Sequence, residues 1–232
     1  MVKIVEVKSV TKDFGGDGII TRALRGVDLD LTAGEFTSMA GPSGSGKTTL
    51  LNIIGGLDKP TSGTVSIEGR EIHQLSAGQL SRLRRDRIGF IFQSYNLIPV
   101  LTAYENAEYV LMIQNVEKEE RRERVLRVLK EVGLEGLEHR FPRELSGGQQ
   151  QRVAIARAIA PEPALILADE PTANVDSETA GSLMDLLRRL NEEKGMTFLF
   201  STHDQAVMRR AGRLIRLQDG CIIEDNLQTG RS

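Results

Sequence analysis

The stretch Gly41-Pro42-Ser43-Gly44-Ser45-Gly46-Lys47-Thr48 decides how the rest of the chain is read. It fits G-x-x-x-x-G-K-[ST], the phosphate-binding loop, without a mismatch. Residues 34–40 ahead of it read as a turn feeding a short strand. Thr49-Leu50-Leu51-Asn52-Ile53-Ile54 behind it reads as the start of a helix. Strand, glycine loop and helix form the setting that the motif requires. The glycines let the backbone curl so that successive N–H groups converge on a phosphate, and the positive end of the helix dipole reinforces them. Lys47 is expected to reach the β- and γ-phosphates of a nucleotide, and the Thr48 hydroxyl to ligate Mg²⁺.

The bulk composition sets bounds on what surrounds this loop. A chain of 232 residues makes one large domain, or a domain with an inserted subdomain. Lys+Arg 30 against Asp+Glu 32 leaves a net charge of −2, so no overall charge favours nucleic acid, and no nucleic-acid partner is expected. The single cysteine, Cys221, excludes an internal disulfide, suits a reducing compartment and reads as a small buried apolar residue. Residues 1–7 alternate like a strand and lack the apolar core of a signal peptide. No apolar run approaches the ~20 residues of a membrane-spanning helix. A cytoplasmic location is expected, with any membrane crossing left to a partner.

Outward from the loop, residues 2–10 and 25–31 read as strands on either side of the turn-rich Phe14-Gly15-Gly16-Asp17-Gly18. Phe14 is placed either to stack on a flat ring or to serve as a core or hairpin aromatic. Residues 63–69 read as another strand. Ser76-x-x-Gln79 fits a capping box for a helix whose flank carries Arg82, Arg84, Arg85 and Arg87, a cluster that could meet lipid headgroups or a partner's acidic loop and is expected to form a solvated, ion-paired face. Ile88-Gly89-Phe90-Ile91-Phe92 is an apolar strand ending at Gln93, and residues 94–99 form no regular element. Thr102-x-x-Glu105 caps a helix running towards Ile113. A second helix spans about 117–132, with Val125, Val128, Leu129 and Val132 on one face and i,i+4 pairs Glu117/Arg121, Glu120/Arg124 and Glu123/Arg127 on the other. Residues 95–145 therefore read as a helical subdomain inserted into an α/β framework made by 1–94 and 146–232.

Leu145-Ser146-Gly147-Gly148-Gln149-Gln150-Gln151-Arg152 follows, then a helix over 153–160. Ser146 is a natural N-cap, and the two glycines allow close backbone approach, giving a second anion-receptive helix start. Residues 164–168 are continuously apolar, as in a strand buried on both faces of a parallel sheet, and they end in Asp169-Glu170. Adjacent carboxylates at such a strand end sit where α/β sheets place their ligands. Residues 180–190 carry the stripe of an amphipathic helix, and a strand over 197–201 ends at Thr202-His203-Asp204. Short strands over 214–217 and 221–224 and a loose polar tail over 228–232 complete the chain.

Taken in order, these motifs make the chain resemble the ATP-binding subunits of ABC transporters over nearly its whole length. Leu145-Ser146-Gly147-Gly148-Gln149 is close to diagnostic, and it stands just upstream of the apolar strand ending in Asp169-Glu170. The resemblance implies a RecA-like phosphate-loop core with a peripheral antiparallel β-subdomain and an inserted α-helical subdomain. It implies that Gly41, Ser43, Gly44, Ser45, Gly46, Lys47, Thr48 and Thr49 bind ATP while Phe14 stacks on adenine in place of the usual tyrosine. Gln93 would sense Mg²⁺ and nucleotide, Asp169 would hold Mg²⁺ through water, Glu170 would be the general base, and His203 would hold the γ-phosphate. Ser146, Gly147, Gly148 and Gln149 would contact the ATP of a second copy in an ATP-sandwich dimer. Asn174 and Asp176 would belong to the loop that crosses between copies.

Arg22-Ala23-Leu24-Arg25-Gly26-Val27, Gly89-Phe90-Ile91-Phe92-Gln93 and Asn96-Leu97-Ile98-Pro99 are similar to the branch with lipoprotein-releasing, macrolide-exporting and cell-division ATPases. That branch implies integral membrane permease subunits as partners and a peripheral position on the inner face of the membrane. Two alternatives stay open. One is an ATPase regulator of a cell-division or signalling membrane complex. The other is a soluble ATPase linked to nucleic acid.

Overall fold

The apolar run over 164–168 becomes a central strand because both of its faces are covered. The computed structural model describes residues 2–15 and 20–228, so most of the expected turn at 15–18 and the tail over 229–232 lie outside the described residues. β1 (Lys3–Phe14) pairs antiparallel with β2 (Thr21–Thr32), and β3 (Phe36–Ala40) leads through the glycine loop into α1 (Lys47–Ile54). β4 (Ser62–Ile67) and β5 (Arg70–Glu71) extend the first pair into a four-stranded antiparallel sheet of order β2-β1-β4-β5. α2 (Ala77–Arg87) and β6 (Ile88–Ile91) precede three helices, α3 (Ala103–Ile113), α4 (Lys118–Glu131) and α5 (Gly147–Ile159). β7 (Leu165–Asp169), α6 (Ser177–Lys194), β8 (Thr197–Thr202), the short α7 (Gln205–Met208), β9 (Arg213–Gln218) and β10 (Cys221–Leu227) follow.

The larger sheet has the order β10-β9-β3-β8-β7-β6, parallel except for β10. Strand periodicity of two feeds its side chains into two cores. Ile166, Ala168, Phe198 and Phe200 meet α3 to α6 on one face. Leu165, Leu167, Leu199 and Met39 meet α1 and the antiparallel sheet on the other. Phe36 packs edge-on against Phe198 with ring centroids 5.4 Å apart and lies 4.9 Å from Phe200. Each such buried ring contributes about 1.5–3 kcal/mol of transfer free energy. Among the described residues no helix is long and apolar enough to cross a membrane.

The caps at Ser76, Thr102 and Ser146 form as expected, and at Ser146 the Gln149 side chain completes a capping box as well. Several expectations need correction. α5 begins at Gly147, six residues ahead of the expected 153, because the Ser146 cap starts the helix within the glycines themselves. Of the three expected pairs on α4 only Glu120/Arg124 forms, at 2.7 Å. Arg121 turns instead to Glu108 of α3 at 2.6 Å, and Arg127 faces Glu162 at 3.7 Å, so tertiary partners displace i,i+4 neighbours. Arg85 pairs with Asp86 and Arg87 with Glu68, as the ion-paired reading expects, whereas Arg84 donates to the Gly56 carbonyl. Cys221 is half-buried at the start of the edge strand, and Gln228 is tied by its N–H to the Gly212 carbonyl at 2.8 Å.

Candidate active site

Strand register brings the motifs together. Ala40 pairs with Thr202 and Asp169 with Ser201, so the glycine loop, Asp169-Glu170 and His203 all leave the sheet at one edge. That edge is the carboxyl end of the parallel strands, where α/β sheets bind their ligands. A cavity of about 650 Å³ opens there, lined by Ala23, residues 43–49, Gln93, Glu170 and His203.

Lys47 is buried, and its ammonium donates to the Gly41 carbonyl at 2.7 Å and the Pro42 carbonyl at 2.9 Å. Two of three ammonium protons are thereby used, which leaves one for a phosphate oxygen. The loop is propped from behind, since the Gly220 N–H donates to the Ser45 carbonyl at 3.1 Å. A Cβ on Gly41 would stand 2.1 Å from the Leu217 carbonyl oxygen, so only glycine lets the loop lie against β9. Among the described residues the Ser45 hydroxyl, buried on the cavity wall, has no hydrogen-bond partner, as suits a group kept for a ligand.

The two neighbouring carboxylates diverge. Thr48 Oγ1 donates to Asp169, 3.0 Å from Oδ2 and 3.1 Å from Oδ1. Both Glu170 carboxylate oxygens lie 3.0 Å from His203 Nδ1. A left-handed turn at Glu170, φ 48°, separates them. A hydroxyl and a carboxylate in contact, with the Gln93 amide on the same cavity wall, supply the hard oxygen donors that Mg²⁺ prefers. Among the described residues no three His, Cys, Asp or Glu side chains cluster to hold a metal by themselves. Mg²⁺ ordinarily takes one or two carboxylates and completes its shell with substrate phosphates and water, so this donor set fits it.

Other expected residues stand outside the cavity. Ser146, Gly147, Gly148 and Gln149 do not line it. They form the start of α5, where Ser146 Oγ accepts from the Gln149 N–H at 3.2 Å and Gln149 Oε1 accepts from the Ser146 N–H at 2.9 Å. A Cβ on Gly148 would meet Thr179 Cγ2 at 2.6 Å, so this glycine lets α5 approach α6. Asn174 Nδ2 donates to the Gln93 carbonyl at 2.8 Å, and Asp176 caps α6 with its carboxyl held below the usual range by the Thr179 hydroxyl and amide. Phe14 closes β1 with its ring 45% exposed under the Lys12 ammonium, 4.8 Å from the centroid. It is not a core residue, and in this structure it does not line the cavity.

Sequence reasoning passed over four residues. Ala23, a strand alanine, lines the cavity and carries no signal of its own. Ser201 contacts both carboxylate residues, and a hydroxyl in an apolar strand was its only sign. Tyr95 donates its phenol to the Asn174 carbonyl at 3.1 Å, while burial raises its pKa. Arg157 of α5 donates to the Tyr95 carbonyl at 2.9 Å and to that of Asn96, and burial lowers its pKa.

A family profile for ABC transporters matches residues 24–173. The chain is 50% identical over 221 residues to an uncharacterized ABC transporter ATP-binding protein of Methanocaldococcus jannaschii, MJ0796, covering 94% of each. It is 46% identical to the lipoprotein-releasing system ATP-binding protein LolD of Anaeromyxobacter dehalogenans, over 95% of this chain and 93% of that one. It is also 46% identical to the macrolide export ATP-binding/permease protein MacB of Escherichia coli, over 97% of this chain but 35% of that larger protein. A dimeric structure of the MJ0796 cassette in a post-hydrolysis state, bound to ADP and Pi, superposes with a TM-score of 0.91 at 48% identity, covering 98% of this chain and all of that one. By this family match and these identities the chain belongs to the ABC transporter family as one of its ATP-binding, ATP-hydrolysing subunits.

Proposed function

We propose that two copies of this chain bind ATP and Mg²⁺ between them and drive a separate integral membrane permease that exports or extracts its cargo. One observation carries the reading. Phosphate loop, Glu170 and His203 line one cavity, with Asp169 held beside it on Thr48, while Ser146, Gly147, Gly148 and Gln149 cap a helix outside it. A capped, glycine-opened helix start is an anion site with no anion of its own chain to serve. A second copy closing head-to-tail would lay it on the ATP held by the first, with Asn174 and Asp176 at the crossing. The dimeric MJ0796 cassette, and relatives named for lipoprotein release and macrolide export, favour this arrangement.

Within each site, the loop amides of 43–49 and Lys47 hold the phosphates, and Phe14 offers its exposed face to the adenine. Thr48, Asp169 and Gln93 would hold Mg²⁺, which supplies charge neutralisation on the phosphate oxygens. Glu170 orients the attacking water and accepts its proton, and His203 keeps that carboxylate aligned and meets the γ-phosphate. Positioning and electrostatics of this kind are what phosphoryl transfer asks of a protein.

The permease has a place to dock. A groove of about 400 Å³ between α2, β6 and α3 is lined by Leu57, Phe92, Val110 and Ile113, with Arg84 and Arg157 in its wall. Among the described residues these two arginines donate only to carbonyls, so a short amphipathic cytoplasmic segment bearing a carboxylate would complement both the apolar floor and the charge. The helices over 95–145 would then move as a subdomain, and the chain would sit on the inner face of the membrane through its partner.

Glu170→Gln tests the reading. It should bind ATP, dimerise and turn over about 10²–10⁴ times more slowly, the range for a lost general base. Isolated from native membranes with ATP, it should retain an integral membrane protein. An unchanged rate removes Glu170 from its role, and recovery of soluble partners or nucleic acid alone removes the transport reading.

A further inference from the structure

Ser201 lies near the end of β8, following Phe198, Leu199 and Phe200, and is fully buried. Its hydroxyl is used twice. The Glu170 N–H donates to Oγ at 3.0 Å, and the hydroxyl donates to Asp169 Oδ1 at 2.6 Å. A serine has one proton to give, and here it goes to a carboxylate while an Oγ lone pair accepts from the very next residue. The contact is built into the sheet, because the β7–β8 register pairs Asp169 directly with Ser201.

Glu170 adopts φ 48°, a left-handed backbone that a non-glycine residue holds only where its surroundings fix it. The same turn takes the Glu170 N–H out of the strand ladder, and Ser201 receives it. Asp169 is thereby kept on Thr48 and Glu170 on His203. Without the hydroxyl, the Glu170 N–H would lose its acceptor and the Asp169 carboxylate one of its donors at a partly buried strand end.

We propose that Ser201 is a positioning residue for ATP hydrolysis: its hydroxyl locks the Asp169-Glu170 turn and so fixes the separate aims of the two carboxylates. The proposal rests on the reading that Asp169 serves Mg²⁺ and Glu170 the attacking water. It assigns the precision of that pair to a strand serine outside the phosphate loop.

The test is steady-state ATPase kinetics of the purified full chain, with Mg²⁺ titrated at saturating ATP. Ser201→Ala should lower kcat about 10–100-fold and raise the Mg²⁺ needed for half-maximal turnover, since hydrogen bonds behind metal-site ligands have effects of this size. Binding of a fluorescent ATP analogue without Mg²⁺ should change less than about twofold, because Ser201 does not line the cavity. Ser201→Thr, which keeps the hydroxyl, should recover most of the rate. If Ser201→Ala does not fold, Ser201→Cys, similar in shape but a weak donor, is compared with Ser201→Thr on the same criteria. A hydroxyl-free variant with kcat within about twofold of the parent, or a loss of rate that only tracks loss of folded chain, overturns the proposal. Glu170→Gln measured alongside separates the two ideas. Parent-like turnover there removes the role of Glu170, whereas slow Glu170→Gln with fast Ser201→Ala removes Ser201 alone.

Discussion

Arg213→Ala should be the most informative stability mutation, because its cost can be worked from the contacts. Arg213 opens β9 and directs Nε and Nη2 at the two Asp225 carboxylate oxygens, each at 2.7 Å. Its Nη1 donates to the Asp30 carbonyl at 2.7 Å and to Glu35 Oε2 at 2.9 Å. The arginine side chain is 13% exposed, Glu35 20% and Asp225 37%. Orphaning a buried charge costs about 3–5 kcal/mol and an exposed one about 0–1 kcal/mol. Glu35 keeps its hydrogen bonds from Thr32 and Thr37 and so falls between the two cases, and Asp225 falls near the second, so a total of about 2–4 kcal/mol is expected. For a chain of this length each kcal/mol moves the midpoint about 2–4 °C, giving a drop of roughly 5–15 °C in a circular dichroism melt.

The pH dependence provides a second reading of the same contact. Burial pushes the Glu35 carboxyl up, but the Thr32 and Arg213 hydrogen bonds outweigh it and hold the group below its ordinary 4.5. The folded state then binds fewer protons than the unfolded one, so this stability is present above pH 4.5 and is lost as pH falls through the lower folded value. The gap in midpoint between parent and Arg213→Ala should be full at neutral pH and narrow below pH 4.5. A drop under about 2 °C, or a gap that widens in acid, would refute the reasoning.

Gly41→Ala should stay folded yet lose nucleotide affinity by more than about 100-fold in a fluorescence titration, because the new methyl group meets a strand carbonyl and the loop amides must move; parent-like binding would show that the loop has slack. Ser146→Ala should cost about 0.5–2 kcal/mol as a lost helix cap, leave nucleotide binding by the isolated chain unchanged, and lower turnover in the dimer. Tyr95→Phe removes the 3.1 Å bond to the Asn174 carbonyl with little change in melting temperature. It should speed amide exchange over 174–176 several-fold, consistent with the roughly 1 kcal/mol of one such bond, and parent-like exchange there would mean the phenol bears no load.

The parts of the fold that sequence made legible are those with local causes. The phosphate loop is read from its glycines, the strand over 164–168 from its unbroken apolar run, and three helix starts from Ser76, Thr102 and Ser146. What stayed hidden depends on which strand lies beside which. Nothing near Glu170 announces that Ser201 supports it, because 31 positions separate the Glu170 N–H from its acceptor. Two of the three expected α4 ion pairs failed for a related reason, since a helix face offers Arg121 a neighbour at i−4 while the fold brings Glu108 closer. The first turns of α5, residues 147–152, were left out of the helix although Ser146 was read as its cap, because glycines argue against a helix when propensity alone is weighed, whereas the cap and close packing on α6 outweigh that cost.

The segment over 92–96 shows how such hidden contacts bear on function. Gln93 lines the nucleotide cavity, while Phe92 and Asn96 line the apolar groove. Only a few residues therefore separate the two surfaces. Tyr95 and Asn96 both have positive φ, 59° and 50°, which folds the segment tightly enough to serve both. Arg157 grips their carbonyls from α5, and Asn174 grips the Gln93 carbonyl from the other side. Were Gln93 to shift towards bound nucleotide, these bonds would carry the shift to the groove wall, the end of α5 at Arg157 and the loop at Asn174. Each hydrogen bond involved is worth about 1 kcal/mol, enough together to define one arrangement and few enough to be exchanged for another. Coupling between sites ordinarily amounts to about 1–3 kcal/mol, a quantity that three such bonds are sized to carry.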